Sequence, residues 1–210
     1  MQVILARHGN TFETASEAVW AGSKQDFPLV SRGKQQAREL AAALHRNSIQ
    51  LAAIYCGPLV RTREYAQIVS EELNWTGEIR HDLRLNEIDY GLWGGLSSDQ
   101  VIKEFGSGAV SDWTESSVWP KDAHWQPSAQ KIIQEVQELV SELSAHYSKE
   151  QVLLISSNGR LRYFLTLVKG EFEKRVDQRQ FAMKTGHIGI LDIQDRLSCI
   201  TCWNLDPVTW

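Results

Sequence analysis

A histidine and an arginine stand together where the first apolar run of this 210-residue chain ends. Residues 2–6 are short, apolar and partly β-branched, as a buried strand requires, and they lead into Arg7-His8-Gly9-Asn10-Thr11. In an open α/β sheet the ligand crevice lies outside the carboxyl ends of the strands. Arg7 and His8 are therefore placed where a substrate would sit. A neutral imidazole can attack phosphorus and become phosphohistidine, which divides one difficult displacement into two easier ones. The negative charge on the oxygens in flight must be met by fixed cations, and the planar fork of an arginine donates two hydrogen bonds to phosphate.

The elements that must hold these groups follow from periodicity. Three further apolar runs, 51–55, 152–156 and 188–193, are each separated from the next by at least one helical pattern. They predict strands of one mostly parallel, buried sheet. Helical patterns cover 31–46, 58–73, 128–147 and 160–169. In the third, Ser128 suits an N-cap, and Ile132, Val136, Leu139 and Leu143 recur at helical spacing. Pro58 suits the first turn of the second, where its missing N–H costs nothing. The fold class is α/β, a three-layer α/β/α sandwich with a small inserted cap. The cap is assigned to 91–127, where the pattern gives way to Gly, Ser and Trp around one short helical piece at 98–105. Trp113, Trp119 and Trp125 either line a pocket there or form the small core of the insertion itself.

Composition narrows the function classes. Hydrophobic residues at 42% and charged residues at 23% fit a globular chain, and residues 1–210 fit a single domain. The net charge of -4 comes from 22 basic and 26 acidic residues spread along the sequence, with no basic stripe for a nucleic-acid backbone. There is no run of 18 apolar residues to span a membrane, and no charged segment followed by an apolar stretch opens the sequence, so the cytoplasm is the expected compartment. Cys56, Cys199 and Cys202 are too few and too scattered for a disulfide framework. Cys199 and Cys202 fall in a strand-like run, 197–203, where residues three apart face opposite sides, which argues against a redox pair or metal clip.

The Arg7-His8-Gly9 tripeptide after the first strand resembles the R-H-G signature of the histidine phosphatase superfamily, the phosphoglycerate mutase-like family, and the resemblance extends in order along the chain. Phe27-Pro28-Leu29-Val30-Ser31-Arg32-Gly33 is similar to its P-L-T-x-x-G segment. Cys56-Gly57-Pro58-Leu59-Val60-Arg61-Thr62 resembles S-P-L-x-R-A, whose arginine binds phosphate. The stretch from Leu85 to Gly95 resembles L-x-E-x-x-x-G-x-x-x-G, which carries an acidic catalytic residue, here Glu87. The resemblance implies His8 as nucleophile, Arg7 and Arg61 as phosphate ligands, and Glu87 as the acid that protonates a leaving alkoxide and deprotonates an incoming water. Asn10 and Thr11 either add neutral hydrogen bonds or serve only the turn.

One position departs from the pattern. Where the family has S-H-G-G, with a second histidine that packs against the first, this chain reads Ser156-Ser157-Asn158-Gly159. Ser157 and Asn158 can donate hydrogen bonds to phosphate but bring no charge. His187, in the turn before the run at 188–193, could lean in instead, and Arg160 or Arg162 could supply charge, although both read more readily as surface or packing residues. Thr14 stands where many relatives have a phosphoryl-contacting asparagine, and Lys24 lies in a loop that borders the site in the family. The resemblance implies a small phosphorylated substrate, a phosphohistidine intermediate, no metal or other cofactor, and a monomer or homodimer. Hydrolysis fits the moderate insertion better than mutase chemistry, which needs a long closing lid. The alternative is a degenerate member that binds a phosphorylated ligand and regulates a partner without turnover.

Overall fold

Alternation along β1 (Gln2–Arg7) sets the layering. Ile4 and Ala6 are buried on one face of the sheet with Leu40, Leu44, Tyr65 and Val69, whereas Val3 and Leu5 are buried on the other with Ile132, Val136 and Leu143. The first group comes from α1 (Ser31–Arg46) and α2 (Val60–Glu72), the second from α5 (Ala129–His146). Helices therefore cover both faces, giving the expected three layers. The computed structural model of the protein describes residues 1–194 and 198–210.

The sheet also contains β2 (Leu51–Cys56), β3 (Ile79–His81), β4 (Gln151–Ser156), β5 (Ile188–Asp192) and β6 (Cys199–Leu205), in the order β3-β2-β4-β1-β5-β6. The four strands β3, β2, β4 and β1 are parallel. β5 runs antiparallel to β1, and β6 antiparallel to β5. The sheet is thus mostly parallel, with an antiparallel edge that hydrophobic periodicity cannot announce, because strand direction leaves no mark on it. Four-strand parallel packing brings the carboxyl ends of β1, β2 and β4 to one rim. The antiparallel β5 starts at that rim, where the Arg7 backbone N–H donates to the His187 carbonyl at 3.0 Å.

Several local expectations change. Pro58 lies ahead of α2, whose N-cap is Leu59, so the proline shapes the approach rather than the first turn. The stretch 160–169 is not one helix. A short α6 (Asn158–Leu161) passes into a 3₁₀ turn, Arg162–Leu167. Segment 91–127 holds two helices, α3 (Ser98–Phe105), with a Ser97–Gln100 capping box, and α4 (Ser107–Ser116), which sequence reading missed. A seventh helix, α7 (Glu171–Asp177), follows the 3₁₀ turn. Ser128 does cap α5, accepting from the Lys131 backbone N–H at 3.3 Å.

The tryptophans form a small aromatic core. Trp125 meets Trp113 edge-on at 4.8 Å, Trp119 at 5.4 Å and Tyr90 at 4.7 Å between ring centroids. Edge-to-face contacts of this kind are worth about 0.5–1.5 kcal/mol each beyond area burial. Both earlier readings apply to Trp113, which also reaches the cavity described below. Cys199 is exposed and Cys202 half-buried on β6, both as free thiols, and the expected start of that strand run at Leu197 lies outside the described residues.

Candidate active site

A cavity of about 490 Å³ opens at the carboxyl rim of the parallel strands. Of the nine residues expected in a site, it is lined by Arg7, His8, Asn10, Thr11, Arg61, Glu87 and Asn158, and not by Ser157 or His187.

His8 follows the last residue of β1 and is buried, its backbone N–H donating to the Ser156 carbonyl at 3.1 Å. Its Nδ1 lies 2.8 Å from the Gly9 carbonyl oxygen. A carbonyl only accepts, so Nδ1 carries the proton and Nε2 keeps its lone pair. Burial, together with the positive charges of Arg61 and Arg7, holds the ring well below the ordinary histidine value of 6.5. The folded protein thus keeps a neutral imidazole, the form able to attack. In the unfolded chain the same histidine takes up its proton near 6.5, so below that pH the unfolded state binds more protons and stability falls, by at most about 1.4 kcal/mol per pH unit from this group. Denaturant unfolding at pH 7 and pH 5.5 should therefore show a larger acid-induced loss for the wild type than for His8→Asn; equal losses would contradict a neutral buried ring.

Arg61, on the first turn of α2, is buried and pinned by three carbonyls, Gln25 at 2.7 Å and Ala21 and Gly22 at 3.2 Å each. Arg7 donates from Nη1 to the Met183 carbonyl at 2.6 Å, and its buried Nε has no partner among the described residues. Burial lowers the pKa of both, with the Glu87 charge opposing that shift, and they remain cations. Such fixed guanidinium groups need no reorganisation to meet developing charge.

Glu87 is buried and oriented by backbone. The Ile88 N–H donates to Oε1 at 2.8 Å and the Gly159 N–H to Oε2 at 3.3 Å. A Cβ at position 159 would come within 2.7 Å of the Tyr90 hydroxyl and closer still to Glu87 Oε1. A side chain there would have to displace the Glu87 carboxylate and the Tyr90 hydroxyl, which lie over the Gly159 Cα. Tyr90 is itself buried and lines the cavity, and burial raises its pKa.

The turn after β1 is held from three directions. Gln36 of α1 accepts from the Asn10 backbone N–H and donates to the Thr185 carbonyl, both at 2.9 Å. The Thr185 hydroxyl donates to Asn10 Oδ1 at 2.5 Å, which leaves the Asn10 amide N–H groups for the cavity. Thr11 lines the cavity. Gly9 and Gly33 meet backbone to backbone: a Cβ on Gly9 would lie 2.6 Å from the Gly33 Cα and closer to its carbonyl oxygen. This contact gives both motif glycines a physical reason.

Around the position of the missing second histidine, Ser157 is 1% exposed and its Oγ has no partner among the described residues. Asn158 accepts at Oδ1 from the Met183 N–H at 2.8 Å, so its amide N–H groups remain available at the cavity wall. His187 does not lean in; its Nδ1 sits 3.0 Å from the Asn204 carbonyl. Arg160 is structural, bonded to the Asn86 carbonyl at 2.8 Å and to Glu135 at 2.6 Å. Arg162 is neither surface nor filler: the 3₁₀ turn brings it, 2% exposed, to the cavity wall. Thr14 lines the rim, and Lys24 pairs with Asp89 at 2.7 Å away from the cavity. Sequence reading missed Tyr90, which stood unremarked inside the Glu87 motif, and Gln36, which reads as an exposed helix polar residue. Among the described residues no group of three or more His, Cys, Asp or Glu side chains could hold a metal ion. Nor is any helix among them long and apolar enough to cross a membrane.

The family model described as the histidine phosphatase superfamily (branch 1) matches residues 3–206. The chain belongs to that superfamily. A superfamily relative, the 2,3-bisphosphoglycerate-dependent phosphoglycerate mutase of Nitrobacter hamburgensis, is 32% identical over 115 residues, 54% of this chain and 55% of its own. The mutase of Azorhizobium caulinodans is likewise 32% identical over 115 residues. The chain thus matches these curated relatives over about half their length. Among solved structures, a mycobacterial glucosyl-3-phosphoglycerate phosphatase in complex with VO3 superposes with a TM-score of 0.82 at 23% identity, covering 97% of this chain and 98% of that one. A putative alpha-ribazole-5'-P phosphatase from Escherichia coli superposes at 0.77 with 22% identity, covering 98% of this chain and 97% of that one. At these identities the superpositions establish the superfamily fold over nearly the whole chain.

Proposed function

We propose that this protein is a phosphomonoesterase that hydrolyses a small phosphorylated metabolite in the cytoplasm through phosphorylated His8. The observation that carries the reading is the neutral, Nδ1-anchored imidazole beside two buried arginines at the strand rim. His8 Nε2 attacks phosphorus, the bond from phosphorus to the ester oxygen breaks, and the leaving alkoxide takes a proton from Glu87. Water then attacks the phosphohistidine and gives a proton to the Glu87 carboxylate. The P–N bond breaks, phosphate departs and the ring returns to its starting tautomer. Arg7 and Arg61 hold the phosphoryl oxygens, and the amides of Asn10 and Asn158 supply neutral donors. The segment 91–127 serves as the cap. The mycobacterial phosphatase solved with VO3 and the curated phosphoglycerate mutases lend support by kinship.

A second reading is favoured by Ser157: a member that binds a phosphorylated ligand without turning it over. Enzyme quenched during turnover of a ³²P-labelled phosphate ester separates the two. Label that is acid-labile and maps to His8 supports hydrolysis. Calorimetric binding of phosphate or a phospho-metabolite, with neither label nor phosphate release across pH 5 to 8, supports the binder.

A further inference from the structure

We propose that Arg162 is a specificity-determining residue, binding a carboxylate carried by the alcohol part of the phosphoester. The inference rests on the hydrolase reading for the placement of the phosphoryl group, and on the following geometry for the rest.

Arg162 is a buried guanidinium stacked between two aromatic faces, 3.7 Å from the Trp113 ring centroid and 4.8 Å from that of Phe181. Stacking fixes the plane of the fork and leaves its edge to make hydrogen bonds. That edge meets only neutral acceptors. Nη1 reaches Ser117 Oγ at 3.1 Å and the Trp113 carbonyl at 3.3 Å, and Nε lies 3.5 Å from the Asn158 carbonyl. Among the described residues Nη2 has no hydrogen-bond partner and no carboxylate pairs with the side chain. Buried cations without a counter-ion are costly, and burial lowers this arginine to about 10. The other buried arginine of α6 and its following turn, Arg160, has a carboxylate partner in Glu135.

Packing places Arg162 on the Glu87 side of the cavity. Its guanidinium lies over the Trp113 ring, Trp113 meets Tyr90 edge-on at 6.4 Å between centroids, and the Tyr90 hydroxyl and Glu87 Oε1 both lie over Gly159. In the hydrolase reading the leaving oxygen is on that side too, where it receives its proton from Glu87. Among the described residues the other acidic side chain on the lining, Glu13, is exposed at the rim and makes no salt bridge with Arg162.

The test compares three ligands of similar size by calorimetry on the His8→Asn protein, which cannot turn them over: 3-phosphoglycerate, glycerol 3-phosphate, and a glycerol bisphosphate. We expect 3-phosphoglycerate to bind about tenfold or more tighter than glycerol 3-phosphate, the scale of one charge-assisted hydrogen-bonded contact. In His8→Asn/Arg162→Gln that ratio falls to near one, and Arg162→Lys retains part of it and guards against loss of the fold. A ratio near one with Arg162 present overturns the proposal, as does an undiminished ratio in a folded Arg162→Gln protein. A preference for the bisphosphate alone overturns the carboxylate assignment. Wild-type turnover of the same esters is read in parallel, so failure of the hydrolase reading shows as absent phosphate release whatever the binding ratio.

Discussion

Replacing His8 by asparagine lowers kcat for any phosphomonoester that the protein hydrolyses by on the order of 10⁴-fold or more, the scale seen when a covalent nucleophile is removed. Asparagine is close in size, and the amide can keep a hydrogen bond to the Gly9 carbonyl that anchors the imidazole. The loss is therefore chemical rather than structural, and a thermal midpoint at pH 7 close to that of the wild type verifies this. Ligand affinity should survive, because Arg7 and Arg61 are fixed by the Met183, Gln25, Ala21 and Gly22 carbonyls and not by the ring. A fall of less than tenfold in steady-state phosphate release would place the nucleophile elsewhere.

Gly9→Ala is the second large effect, and it acts on fold and site together. The added methyl would be driven into the Gly33 backbone on the first turn of α1, and backbone cannot rotate away as a side-chain end can. The cost of overpacking at such a point is about 3 kcal/mol or more. Whatever shift relieves it moves His8 and Asn10 on either side, so turnover falls even at temperatures where the variant is folded. Gly33→Ala should behave in the same way, its Cβ meeting the Asn10 carbonyl oxygen and lying 2.9 Å from the Asn10 nitrogen. Urea unfolding and kcat measured on both variants check the pair; a loss below about 1 kcal/mol in both would mean that the turn after β1 can separate from α1.

The most legible part of the protein was the rim of the parallel strands. An apolar run ending in Arg7-His8 carries its own placement, and the ordered motifs brought Arg61 and Glu87 to the cavity that His8 lines. Less legible was whatever depends on direction or on an irregular turn. Hydrophobic period identifies 188–193 as a strand yet is blind to its antiparallel run. β3 spans three residues, too short for any period to register. With helical spacing over 160–169, Arg162 reads as a surface or packing residue. The change to a 3₁₀ turn at that residue redirects it onto Trp113. Ser107 and Gly108 open α4 with poor helix formers, so local propensity hid a helix that tertiary packing of Trp113 sustains.

The aromatic cluster has a mechanical corollary. Trp113 of α4 leans on Tyr90, Tyr90 sits three residues from Glu87 in the same short loop, and Trp125 clamps both rings. The proposed proton donor, Glu87, and the wall that carries Arg162 are thereby packed against one aromatic cluster. A bulky alcohol that levered α4 outward would drag the carboxyl group off its line as well, so that the wrong substrate, even once admitted, is turned over slowly rather than merely held loosely.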